Sequence, residues 1–333
     1  MRLSPSQYAG LNIRTGSILL LSLTLLWPVI AGSSAAAAPA QLLIILVDAL
    51  DPQEIAADPV WLTLTQKGAY GLMNTRTGGR QAPAATHLSL GTGARADAPN
   101  DSAQIYALTD QVHSLTAGAL YHSIHGVSPP ENALVCLDVA RLQRANQARP
   151  DITVGWLGER LKAAGVSVAY IGNADTPTEH YRPGALFIMD ANGVIPQGVI
   201  GAELLLFDPD FPYLMRTDYH AVLSAIEALR RNQVLVVELA DLARLDSFRE
   251  RLAETVWLQQ RRAALTEIGL FIHHLVEFPA VSDRIILIIS PTPRADRAAA
   301  GHWLAPMLML HPQVTASLLH SQGTRRPGIV LNT

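Results

Sequence analysis

Three uninterrupted apolar runs along the chain each stop at a polar group. Residues 42–47 (Leu-Leu-Ile-Ile-Leu-Val) lead into Asp48, residues 234–237 lead into Glu238 and then Asp241, and residues 285–289 lead into Ser290. Runs of this length without a polar alternate suit strands buried on both faces, as in a parallel sheet beneath helices. Such sheets bind ligands beyond the carboxyl ends of their strands. The polar residues that end these runs are therefore the first place to look for function.

Between the runs, strand and helix signals alternate. Helices are expected over 52–66, 86–96 (opened by a Thr86 cap), 152–164 and 218–231, with a long helix or helix pair over 242–278. Further strands are expected at 69–73, 166–171, 185–189, 306–310 and 328–331. Repeated strand-helix-strand order predicts an α/β fold with a mostly parallel sheet and helices on both faces. The last residues, Asn332 and Thr333, follow a strand-like run directly, the pattern expected of a piece of a longer protein.

Composition narrows the class. Of 333 residues 49% are hydrophobic, enough for a substantial core. The formal charge of -3 gives no reason to expect nucleic acid or an anionic membrane surface as partner. Arg2 and Arg14 precede an apolar stretch at 18–30, and small residues follow up to Ala40. A basic segment, a short apolar core and small residues read as a secretory signal, with an uncleaved N-terminal anchor as the alternative. Residues 1–40 are thus expected to direct export and 41–333 to form the α/β domain. The expected location is the periplasm, the exterior or the outer face of the cytoplasmic membrane. Membrane contact is expected only through the N-terminus or a further C-terminal part. Cys136 is the only cysteine, which excludes an internal disulfide and a cysteine zinc cluster; flanked by Val135 and Leu137, it reads as a buried thiol.

The order of these features resembles the alkaline-phosphatase-like superfamily, which includes phosphodiesterases, sulfatases and metal-dependent phosphoglycerate mutases. The apolar strand ending in Asp48, the segment Ala82-Pro-Ala-Ala-Thr-His-Leu-Ser-Leu-Gly-Thr-Gly93, the strand before Asp241, the strand 285–289 and Gly301-His302 fall in the family's order. The stretches 71–77 and 323–328 also look like those of a group of bacterial exported proteins in that superfamily. The resemblance runs from about Gln41 onward. It implies a hydrolase of phosphate or sulfate esters that uses a divalent zinc, manganese or magnesium ion, with Asp48, Asp241 and His302 as ligands.

The chain also departs from the family pattern. The position expected for the nucleophile falls on Pro83, and the Asp-His pair expected after 285–289 is replaced by Pro291-Thr292. The His expected four residues after Asp241 falls on Leu245. Thr86 is the hydroxyl nearest the nucleophile position, and at a helix start it would lie where amides and the helix dipole favour anions. Arg76 and Arg80 flank a Thr-Gly-Gly loop and are candidate grips for an anionic ligand. Two readings of different class follow. One is an exported metal-dependent ester hydrolase with an atypical site; the other is a non-catalytic scaffold that binds a cell-envelope ligand or a protein.

Overall fold

In the computed structural model, residues 41–79, 81–319 and 329–330 are described. The expected signal or anchor at 1–40, Arg80 and the stretch 323–328 lie outside the described residues.

Among the described residues, nine strands form the main sheet: β1 (Leu42–Leu46), β2 (Ala69–Asn74), β3 (Val168–Gly172), β4 (Gly198–Val199), β5 (Val234–Glu238), β6 (Ile285–Ile289), β7 (Leu304–Leu310), β8 (Ser317–Leu318) and β9 (Ile329–Val330). Their order across the sheet is β8-β2-β7-β6-β1-β5-β3-β4, with β9 also paired to β2. Pairings around β1 are parallel on both sides, and β7 alone runs against its neighbours. The expected α/β architecture with a mostly parallel sheet is present.

β1 shows why an apolar run without polar alternates makes a central strand. Leu43 and Ile45 face one core with Trp61, Val222 and Ile268; Ile44 and Leu46 face the other with Ala84, Leu88 and Tyr170. Each face needs its own hydrophobic set, so no position is left for a polar residue.

Local signals set the helix starts. The helix expected over 52–66 is two, α1 (Pro52–Ala57) and α2 (Pro59–Gln66). Asp51 and Asp58 cap them, each followed by a proline at the first helical position, where no amide is lost. Asp58 breaks the run because it ends one helix and opens the next. α3 (Pro83–Thr92) begins earlier than expected. Thr86 does not cap it; Ala82 stands at the cap and Thr86 lies one turn inside. The proline at N1 was the stronger start signal. α4 (Tyr219–Ala228) is followed, after β5, by α5 (Asp241–Ser247) and α6 (Glu254–Glu277), which divide the long stretch expected at 242–278. α7 (Ala295–Ala299) is a short turn of helix beyond β6.

One expected strand is absent. Residues 185–189 fall in a 3-10 helix, Pro183–Phe187, and the turn after it. The segment is fully apolar because it is buried against α3 beneath the sheet, and burial alone does not distinguish strand from tight helix. Val194–Ile195 joins Leu134–Cys136 and Ile105–Ala107 in a small antiparallel sheet to one side. Cys136 lies buried there, and burial pushes its thiol up to about 12, in keeping with a packing role.

Candidate functional site

The carboxyl edge of the sheet is where the loops after β1, β5 and β6 meet. Leu46 is in register with Glu238 on one side and with Ile289 on the other, so Asp48, Glu238 and Ser290 emerge together. Ala49 takes a left-handed conformation, φ 63°, which is unfavourable for a residue with a Cβ. It is held there by its neighbours. Its amide donates to the Thr292 carbonyl at 3.0 Å, and Arg261 donates to the Ala49 carbonyl. This turn places the Asp48 carboxylate at the strand end.

Both oxygens of Asp48 are engaged. Thr292 donates to Oδ1 twice, from Oγ1 at 2.6 Å and from its amide at 3.1 Å. His87, on α3, lies 2.8 Å from Oδ2 through Nε2. The imidazole is fully buried, and Nδ1 has no hydrogen-bond partner. Burial by itself would push the His87 pKa down, but the Asp48 carboxylate in contact and the Glu238 carboxylate nearby outweigh it and hold it above its ordinary value. The 2.8 Å contact sets Nε2 to donate to the Asp48 carboxylate.

Glu238 closes the group from behind. Tyr170 donates its hydroxyl to Oε2, and the Gly184 amide donates to Oε1 at 3.2 Å. Room for this pair depends on glycine: a Cβ at Gly172 would fall 2.7 Å from both the Glu238 Cβ and the Tyr170 hydroxyl. Burial raises the Glu238 carboxyl, and the buried Tyr170 beside it is held well above its own usual value.

Asp48, His87 and Glu238 each place one ligand-type atom within 4.8 Å of the others, the one such group among the described residues. Two carboxylates and an imidazole are suitable donors for a divalent ion. Their present bonds are not. A ligating imidazole nitrogen must be free of its proton, and here Nε2 faces Asp48 across a hydrogen bond while Thr292 occupies Oδ1. The residues therefore do not fit the metal ion that the family resemblance implies unless these bonds are given up.

The other expected ligands lie elsewhere. Asp241 is fully buried and accepts from the Thr217 amide and hydroxyl, both at 2.8 Å, from the Tyr219 hydroxyl at 2.9 Å and from Arg244 at 3.1 Å. It ties α5 to the residues that open α4. His302 is exposed and borders a separate recess with Asp51, Arg294 and Arg297. Neither belongs to the Asp48 group. Arg76 is exposed, its guanidinium 5.7 Å from the Trp303 ring centroid.

In front of Asp48 opens a cleft of about 360 Å³. Asp48, Gln81, Thr86, Thr292, Asp246 and Ser247 give it polar groups, while Pro83, Pro293 and Trp303 are among its apolar walls. Thr86 reaches the cleft from inside α3, and its hydroxyl donates back to the Pro83 carbonyl at 2.9 Å. His87 and Glu238 were missed as partners of Asp48 in the sequence. His87 follows Thr86 directly, so helical geometry sends it to another side, away from the cleft and toward β1. Glu238 was legible only as the polar end of an apolar run.

No family model matches the sequence, and no curated protein matches it. Solved structures do. A protein of the alkaline phosphatase superfamily from Vibrio parahaemolyticus is similar over 84% of this chain, with a TM-score of 0.48 and 12% identity. This chain spans 62% of the Vibrio protein's own length. The lipoteichoic acid synthase LtaP from Listeria monocytogenes is similar over 89% of this chain and 70% of its own, with a TM-score of 0.46 and 13% identity. A protein from Pyrococcus horikoshii is similar over 88% and 93%, with a TM-score of 0.46 and 12% identity. At these scores and identities the likeness assigns no chemistry to the residues at the sheet edge.

Proposed function

We propose that this chain is an exported, non-catalytic α/β domain that binds a ligand in the cleft before Asp48. The observation that carries the reading is the state of Asp48. One of its oxygens holds two donors from Thr292, and the other pairs with His87. A carboxylate committed in this way is a structural anchor rather than a free metal ligand. The nucleophile is also lacking. Pro83 has no nucleophilic atom, and the Thr86 hydroxyl directs its proton to a helix carbonyl rather than to a base. Parts of such a site act as a unit, so losing several removes orders of magnitude of rate rather than a fraction of it.

Export rests on the pattern of the first forty residues, and among the described residues no helix is long and apolar enough to cross a membrane. A metal-dependent ester hydrolase is the second reading. The closeness of Asp48, His87 and Glu238 favours it, and the proton and the Thr292 donors already in that group weigh against it.

The test is hydrolysis of generic phosphomonoester, phosphodiester and sulfate ester substrates by the purified protein with added zinc, manganese or magnesium. The proposal expects turnover at background, unchanged by Thr86→Ala and Asp48→Asn. Metal-dependent turnover lost in Asp48→Asn would establish the hydrolase instead; turnover lost in Thr86→Ala would make Thr86 its nucleophile.

A further inference from the structure

Beyond β6 the chain is fixed at two points, Thr292 and Trp303. Thr292 is bonded to Asp48 and Ala49, and the Trp303 carbonyl accepts the Thr75 amide and hydroxyl, both at 2.9 Å. Residues 293–302 run between these points, carry α7 and include no buried residue. Their apolar side chains are Pro293 and four alanines. Gly301, at φ 81°, turns the chain back toward Trp303, and a Cβ added there would meet nothing within 4 Å. The turn stands in open space.

Charge holds this segment to the body. Arg297 donates from Nε to Asp51 Oδ2 at 2.6 Å and also bonds Gln53. Arg294 donates to Glu54 at 2.9 Å, lies 3.8 Å from Asp51 and sets its guanidinium 5.9 Å from the Trp257 ring centroid. Asp246 accepts the Ala295 amide at 2.8 Å, and Arg249 stands 3.5 Å from Asp296. Lasting hold comes from buried apolar area, which this segment lacks. Attraction within a desolvated ion pair is largely offset by the water its charges give up. Opening returns water to Asp51, buried beneath the two arginines, and frees the backbone between the fixed points. Segments held in this way open at a lower free energy than the core.

The same segment is a wall of the cleft. Pro293, Ala295 and Ala298 line it, the two alanines sharing one face of α7 at a spacing of three. Other lining residues, Pro83 and Thr86 on α3 and Ala243 and Ser247 on α5, belong to helices that bury Leu88 and Leu242 in the core. One wall is therefore free to move while the others are fixed. We propose that residues 293–302 form a charge-held strap that swings about Thr292 and Trp303 and sets how wide the cleft before Asp48 opens. This adds regulation to the site assigned above. It rests on the cleft being that site, and on neither the ligand nor the absence of catalysis.

The test uses the full chain without a ligand. The Ala295 amide is protected by its bond to Asp246, so its hydrogen exchange, read by NMR, reports detachment of the strap. It should exchange at least about a hundredfold faster, relative to its unprotected rate, than the amides of β1. Asp51→Asn keeps an oxygen to cap α1 and removes the charge that faces Arg294 and Arg297. In this variant Ala295 exchange should rise roughly tenfold, between the effects of an exposed and a buried ion pair, while β1 exchange stays as in the wild type. The width of the cleft is read with a thiol on α5, Ala243→Cys, labelled by fluorescein maleimide; buried Cys136 is the background. Adding Asp51→Asn should speed this labelling by a factor similar to that of the exchange. Ala295 exchange as slow as that of β1 in the wild type overturns the strap, whatever the variant does. No rise in Asp51→Asn overturns charge as its hold, and unchanged labelling beside faster exchange overturns its control of the cleft. Absent ligand binding or ester turnover would count against the function proposed above and leave these readings untouched, so the two failures are distinguishable.

Discussion

Thr292 holds Asp48 at Oδ1 through both its hydroxyl, at 2.6 Å, and its amide, at 3.1 Å. The Ala49 amide returns the contact to the Thr292 carbonyl at 3.0 Å. The loops after β1 and β6 are thereby zipped together, and a hydrogen-bond donor stands where the family resemblance called for metal ligands. With both oxygens engaged, Asp48 is part of the architecture of the cleft.

The first prediction concerns the buried pair. His87→Leu leaves the buried Asp48 carboxylate without the imidazole that pairs with it. Removing one member of a buried ion pair costs about 3–5 kcal/mol. Urea unfolding of the variant should show a loss of this size. A loss below about 1 kcal/mol, the range of an exposed ion pair, would mean that His87 carries no charge in the folded protein.

pH dependence gives the second. The folded pKa of His87 is raised above its ordinary value by Asp48 and Glu238 against the opposing effect of burial. Its contribution to stability is fully present below the unfolded imidazole pKa, about 6.5, and is lost as pH rises through the folded value. Glu238, also raised, acts in the same direction, because the folded state again binds its proton more tightly. Stability should therefore fall as pH rises from neutrality, and His87→Gln should flatten that slope. A wild-type protein that gains stability over the same interval would reverse the assignment of the proton.

Much of the fold was legible in the sequence, and the reason is visible at β1, β5 and β6. An apolar run buried on two faces has one sensible place in an α/β protein. Residues 185–189 were equally apolar and belong to no strand, because burial against α3 demands the same composition as burial in a sheet. Proline at 83 marked the start of α3 more faithfully than the threonine inside it. At the site, Asp48 was legible as the end of a strand. Its partners were not, since His87, Glu238 and Thr292 come from three separate segments and meet only through sheet order. Asp241 shows the converse limit: an acid in a family-like position that the fold spends on Thr217, Tyr219 and Arg244.

That network supplies the third prediction. Asp241→Ala strands the Thr217 and Tyr219 donors and leaves Arg244 buried without its carboxylate. A loss of about 3–5 kcal/mol is expected, as for a broken buried ion pair. Its effect should appear in unfolding measurements. A variant with wild-type stability and altered metal binding would instead restore Asp241 as a ligand.

Export yields a fourth. The basic residues at 2 and 14, the apolar stretch at 18–30 and the small residues after it predict a mature chain that begins between Ala36 and Gln41. N-terminal sequencing of the protein secreted by a bacterial host checks this. Retention of Met1 on protein recovered from the cytoplasm would contradict it.

The most direct test of the central claim is the metal stoichiometry of the purified protein after equilibration with zinc, manganese and magnesium, read by elemental analysis beside Asp48→Asn. Because Asp48 is held by Thr292 and His87, the account predicts less than one bound ion per chain for each metal and no difference between wild type and variant. One ion per chain in the wild type, lost in Asp48→Asn, would show that the group opens to ligate a metal and would contradict the account.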